Sequence, residues 1–185
     1  MTTAKELARF ILNAMKRHTV DIQPEEFDVT PIKLQKLLYY CQAYSLALTG
    51  KPAFSDTIEA WKFGPVVDSV YQEYKKYSGR VIPIDEITED TQPDEILQSI
   101  IDFVLADKGQ YSGDVLARMT HKESPWLDCY GGIYTNHKIP NEKIYEFFSA
   151  EILKREEDYA DTDNVWDSLG EPVSVSDLEE VLEKI

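Results

Sequence analysis

The chain has 185 residues, 43% hydrophobic and 29% charged, with a formal net charge of −15. That length supports one substantial core, while the charge disfavours sequence-independent binding to nucleic acid, which depends on neutralising phosphates; the longest basic cluster is Lys75-Lys76, with Arg80 shortly after. No segment approaches the ~18 consecutive apolar residues of a membrane span, Cys41 and Cys129 match no zinc or CxxC spacing, and the first residues read as an amphipathic helix without a secretory leader's apolar core, so the expected setting is the reducing cytoplasm.

Thr3 and Glu6 form a capping box, and Leu7, Phe10, Ile11, Ala14 and Met15 then mark one face of a first helix. Asp21 to Val29 is acidic, contains Pro24 and reads as a connection. The stretch TPIKLQKLLYYCQAYSLALTGKP, residues 30–52, predicts a second helix. Thr30 caps it, Pro31 sits where a missing N–H costs nothing, and Gly50 supplies a left-handed stop. From Pro31 to Leu48 it would run ~27 Å, enough to cross the domain. Leu34, Leu37, Leu38 and Cys41 face the core, and Tyr39, Tyr40 and Tyr44 widen that face. Lys33 and Gln35 are expected at its solvent edge. Lys36 and Gln42 are expected to bond neighbouring loops or backbone, with the lysine stem covering apolar surface.

Thr57 to Phe63 alternates as a short strand, Gly64-Pro65 is expected to break it, and Pro65 to start a helix striped by Val67, Val70, Tyr71, Tyr74 and Tyr77. Arg80 to Ile84 is expected to return as a second, edge strand, since it contains Pro83. Pro93 opens a further helix with Ile96, Leu97, Ile100, Ile101, Val104 and Leu105 inward, and Ser112 caps the next, which ends at HKESPW, residues 121–126. Another helix starts around Pro140. The expected fold is mainly α: a compact helical domain, residues 1–148, with a small two-stranded β element.

Residues 149–185 form an acidic extension. Twelve acidic residues stand there against three basic ones, and a capping box at Ser176 and Glu179 predicts a short terminal helix. Tyr159, Trp166, Leu169, Leu178 and Leu182 interrupt the charge. Two readings of this tail stand side by side: its apolar residues anchor an acidic segment on a basic partner, or the segment docks on its own domain.

Nothing in the chain spells out catalysis. His18, His121 and His137 lack HxH or HExxH spacing, and no GxSxG or phosphate-cradling glycine loop occurs. Cys41 on an apolar helix face reads as a small buried thiol. His121 reads as a tie between a helix end and the next segment while Trp126 fills the core, the alternative being a proton carrier or ligand. Trp61, Phe63, Tyr71, Tyr74 and Tyr77 stand among lysines as a single-strand stacking platform would, but the net charge points to core packing or a protein interface instead. No cofactor or metal is expected, and nucleic acid and membrane are not expected partners.

Three blocks in order resemble the Panacea domain family of SocA-like and phage-associated proteins. In the first block Thr30, Leu34, Lys36, Leu37, Tyr39 and Gln42 carry the resemblance; in the second, Gly64, Pro65, Val66 and Tyr71; in the third, His121, Pro125 and Trp126. The resemblance implies an antitoxin of a bacterial or prophage toxin–antitoxin pair, which binds and neutralises a toxic protein encoded by a neighbouring gene. It also implies, for the SocA branch, an adaptor that delivers its toxin to a bacterial ATP-dependent protease. It offers no catalytic residues. Members with a DNA-binding accessory segment differ from this chain, which shows no helix-turn-helix, so autoregulation is not expected. The competing readings are a phage-encoded regulator or inhibitor of a host system that uses the acidic tail as a nucleic-acid mimic, and an enzyme built around His121. The expected partner-contacting residues are Trp61, Tyr74, Tyr77, Tyr159, Trp166, Leu169, Leu178 and Leu182.

Overall fold

The computed structural model describes residues 2–19, 28–83, 92–133 and 135–160. Seven helices and three short strands occur in these segments: α1 (Ala4–Thr19), α2 (Pro31–Thr49), β1 (Ile58–Trp61), β2 (Gly64–Val66), α3 (Asp68–Tyr74), α4 (Glu95–Lys108), α5 (Gly113–Thr120), α6 (Ser124–Leu127), β3 (His137–Ile139) and α7 (Asn141–Ala160). A single 3-10 turn, Lys75–Tyr77, extends α3. The fold is mainly helical with one small antiparallel sheet.

The helix ends follow the sequence signals. At α1, the Thr3 N–H donates to Glu6 at 2.7 Å and the Glu6 N–H donates to Thr3 Oγ1 at 3.3 Å, so both residues satisfy free amides. At α2, Thr30 accepts from the Lys33 N–H, and Gly50, at φ +68°, donates to the Leu46 carbonyl at 2.9 Å. Asp94 and Ser112 cap α4 and α5 through the amides of Leu97 and Val115.

The second helix is the axis of the domain rather than one wall of it. Helices α1, α4, α5 and α7 and strand β2 all pack on α2, and from Leu34 to Leu46 no residue of it is open to solvent. This overturns the expectation for Lys33 and Gln35, which are 2% and 5% exposed. Periodicity places them at the two edges of the leucine stripe, about 100° to either side of its centre; those edges are covered by other elements. A helix buried all round still carries polar side chains when each finds a partner.

The sheet differs from expectation in its strands. Gly64 and Pro65 do not break the chain into a helix; Gly64, at φ +94°, turns it into β2, and α3 starts at Asp68. Arg80 to Pro83 forms no strand and makes one ladder-like bond, from the Ile82 N–H to the Val29 carbonyl at 2.8 Å. Ile84 lies outside the described residues. The partner on the other side of β1 is instead β3, giving the order β2-β1-β3.

The register explains why proline is tolerated in β2. Ala60 faces Pro65, flanked by the pairs Glu59–Val66 and Trp61–Gly64. Pro65 has no N–H to give, so Ala60–Pro65 is a non-hydrogen-bonded pair and the Pro65 carbonyl points away from β1. On the other edge, Ile58 and Ala60 face Ile139 and His137.

The core joins all layers. Leu7, Ile11 and Met15 of α1 meet Leu34, Leu37 and Leu38 of α2, and Tyr39, Tyr40 and Tyr44 surround Phe148 of α7 with ring centroids 5.7–6.1 Å apart. Helix α7 continues past Phe148 to Ala160, with Ile152 still buried.

Candidate functional site

The polar side chains of α2 act as a substitute strand along the outer edge of β2. Gln35 accepts from the Val67 N–H at 2.8 Å and donates to the Val67 carbonyl at 3.2 Å, the pair of bonds that a neighbouring strand would make. One residue along, Lys36 Nζ donates to the Pro65 carbonyl at 2.8 Å. Gln42 does the same for the segment before β1: it accepts from the Phe54 N–H at 3.1 Å, and its amide donates to Phe54 O and to Asn141. Lys36 and Gln42 therefore bond neighbouring backbone as expected.

Around Lys36 the three sequence blocks converge. A Cβ placed on Gly64 would lie 2.5 Å from Thr120 Oγ1 and 2.8 Å from Lys36 Cε, so only glycine fits between α2 and the end of α5. His121 caps α5 and stacks on Trp126, with ring centroids 4.1 Å apart and planes 25° apart. Trp126 in turn stacks on Tyr130 and donates from Nε1 to the Trp61 carbonyl at 2.9 Å, tying α6 to β1. Pro125 is buried in α6, Tyr71 packs edge-on against Trp61 at 4.9 Å, and Thr30 holds the far end of α2. Every motif residue thus has a packing or hydrogen-bonding task.

The electrostatics of this hub are those of buried, unscreened groups. Burial pushes the Lys36 ammonium down to about 7, against a weaker upward pull from Glu123. His121 is held below its usual value by burial and then by the Lys36 charge. Glu123 is raised by burial, opposed by Tyr40, whose hydroxyl donates to its Oε1 at 2.9 Å, and by the nearby Tyr39 phenol. Tyr39 OH, His121 Nε2 and Glu123 Oε2 are buried without a partner at hydrogen-bond geometry. Burial also raises both cysteine thiols, so neither has the thiolate character of a nucleophile. Among the described residues, no group of three or more His, Cys, Asp or Glu is placed to hold a metal, and no helix is long and apolar enough to cross a membrane.

Two large apolar side chains of the hub segments are exposed, and the Lys62 ammonium stands 5.2 Å from the centre of the first, the Phe63 ring. Phe63, in the turn between β1 and β2, is 60% exposed, and Leu127, at the end of α6, is 51% exposed. The Trp126–Trp61 bond holds these two segments together. Trp61 is half-buried between them. Of the other expected contact residues, Tyr77 is half-buried, while Tyr74 is buried with its ring 6.4 Å from that of Tyr77, and so belongs to the core. The side chain of Tyr159, and all of Trp166, Leu169, Leu178 and Leu182, lie outside the described residues. Sequence reasoning missed Gln35, Thr120, Glu123 and Leu127 as members of this site. Leu127 carried a faint signal, an apolar residue directly after the Pro-Trp element and before Asp128.

The family model described as antitoxin SocA-like, Panacea domain, matches residues 34–127. The chain belongs to this family. The matched span opens on α2 and closes on Leu127, so it contains the Lys36 hub, the hairpin and both stacked rings, and leaves out α1, β3 and α7. A curated relative, Antitoxin SocA of Caulobacter vibrioides (strain NA1000 / CB15N), is 30% identical over 122 residues, covering 60% of this chain and 65% of that protein. The match therefore spans just under two thirds of the relative's length. No solved structure matches the chain. The matched span of this Panacea domain holds the buried polar bonds of Gln35, Lys36 and Gln42.

Proposed function

We propose that the protein is an antitoxin, working in the cytoplasm and without enzymatic activity, which neutralises a toxin encoded by a neighbouring gene through direct protein–protein binding. The observation that carries this reading is the SocA-like family match, joined to a chemical one: Lys36 and Trp126 of the motifs hold the hairpin and α6 in place. A rigid, aromatic, partly exposed face is what protein interfaces favour. The contact surface we assign centres on Trp61, Phe63 and Leu127. The net charge of −15 fits a basic partner.

The test is co-expression with the neighbouring gene. Toxicity of that gene alone, relieved by this chain with the two proteins co-purifying, is the expected result. Relief without a complex, lost in cells lacking an ATP-dependent protease, would replace blocking by delivery to that protease. A neighbouring gene that is harmless alone would overturn the antitoxin reading.

A further inference from the structure

The small sheet has two edges, and the fold treats them differently. The outer edge of β2 is closed. Pro65 has no N–H to offer, its carbonyl takes the Lys36 ammonium, and Gln35 holds both backbone groups of Val67. The register fixes what the other edge presents. Glu59 and Trp61 exchange their backbone bonds with Val66 and Gly64, since Ala60–Pro65 is a non-hydrogen-bonded pair. Ile58 and Ala60 therefore turn their backbone groups to Ile139 and His137, which leaves Glu59–Lys138 as the non-hydrogen-bonded pair of β1 and β3. The N–H and C=O of Lys138 point outward, away from β1. Lys138 is exposed, and among the described residues neither group has a hydrogen-bond partner. An open edge of this kind is a template for another strand.

We propose that this edge takes an extended segment of the protein partner as a fourth strand, next to β3, with an acidic residue of that segment beside Lys138. The proposal rests on the direct-binding reading and adds the form of the contact and the chemistry of the partner. Side chains alternate across the sheet. Ile58, Ala60 and Ile139 are buried on the core face, so Glu59, Trp61 and Lys138 share the other. The open edge thus continues the contact surface assigned at Trp61 and Phe63. Charge selects the occupant. The Glu59 carboxylate accepts from Trp61 Nε1 at 2.8 Å, and Lys138 makes no ion pair among the described residues. A second copy paired about Lys138 would set two ammonium groups side by side. Like charges directly opposite are destabilising, and an edge lysine is a common guard against self-pairing. An acid in that place is favoured instead. Because β3 has three residues, the added strand gains two backbone bonds, which set the register of a contact anchored by Phe63 and Leu127.

Amide hydrogen exchange, read by NMR on the full chain alone and with the purified product of the neighbouring gene, tests this. The Lys138 amide should exchange freely in the chain alone and at least tenfold more slowly in the complex. Lys138→Pro removes the outward donor and spares the bonds to β1, which belong to His137 and Ile139; slow exchange at Ile58 and Ile139 reports that the sheet is intact. Its complex should be at least tenfold weaker. Lys138→Ala, which keeps the donor, should stay within about fivefold of wild type, and Lys138→Glu should bind more weakly than Lys138→Ala. A complex in which Lys138 exchanges as freely as in the chain alone would overturn the proposal and leave direct binding standing, as would slowed exchange with undiminished binding by Lys138→Pro. Absence of any complex would overturn both readings. Protection already present in the chain alone would also overturn the proposal, assigning the edge to a second copy where it fades on dilution and to the chain itself where it does not.

Discussion

The Lys36 ammonium donates to the Pro65 carbonyl at 2.8 Å, and neither residue is open to solvent. The bond closes the outer edge of β2, yet it buries a cation. In the unfolded chain the lysine titrates near 10.5 and in the fold near 7, so between those values the unfolded state holds the extra proton. Stability contributed by this residue therefore rises with pH across that window, by at most about 1.4 kcal/mol per pH unit. Urea unfolding at pH 7, 8 and 9 should show wild type gaining on Lys36→Met step by step. Parallel curves would mean that the buried amine does not titrate as described.

Gly64 is the other half of that contact. An alanine there would combine a strained φ of +94° with a methyl group 2.5 Å from Thr120 Oγ1. The expected cost is about 2–4 kcal/mol from strain and overpacking together. Gly50 has φ +68° and nothing within 4 Å, so Gly50→Ala should cost only about 1–2 kcal/mol. Comparing the two by thermal unfolding separates crowding from backbone strain.

Gln35 satisfies both backbone groups of Val67 inside the protein. Truncation to alanine leaves a buried donor and a buried acceptor unpaired, at about 1–3 kcal/mol each. Gln72, exposed on α3 and bonded, among the described residues, to Asp68 and Lys75, provides the control: Gln72→Ala should stay within about 0.5 kcal/mol. Equal effects would refute the substitute-strand role of α2.

These residues also mark what the sequence discloses and what it withholds. Caps and stops are local chemistry, so Thr3, Thr30, Gly50 and Ser112 could be read from a few neighbouring residues. The apolar face of α2 was legible for the same reason. That its edges are also covered was not, because burial of Lys33 and Gln35 depends on segments distant in the chain. Strand β3 has three residues, too few for a period of two to register, and its pairing with β1 is fixed only by the fold. Gly64-Pro65 carries turn chemistry that suits a helix start as well as a hairpin edge; what decides is the donor on Lys36. At the site, the block residues announced a shared location, but the exposure of Phe63 and Leu127 is a property of the assembled surface.

Glu123 offers a second titration with the opposite sign. Its folded value is raised, mainly by burial, so the folded state holds the extra proton above the ordinary value of 4.5 and stability from this group falls as pH rises through that window. Glu123→Gln keeps an acceptor for Tyr40 and should remove this fall. Tyr40→Phe, which strips the carboxylate of its 2.9 Å donor, should cost about 1.5–3 kcal/mol at pH 7. Unfolding free energies of both variants from pH 5 to 7 provide the check.

The central claim is that neutralisation runs through the apolar face carried by the hairpin turn and α6. Phe63 is mostly exposed, so Phe63→Asp should leave stability within about 0.5 kcal/mol while removing an anchor of the interface. The most direct measurement is the affinity of purified wild type and Phe63→Asp for the neighbouring gene's product, beside growth rescue by each. The account predicts at least a 30-fold weaker complex, about 2 kcal/mol, and loss of rescue with the fold intact. Unchanged affinity and full rescue by Phe63→Asp would contradict it.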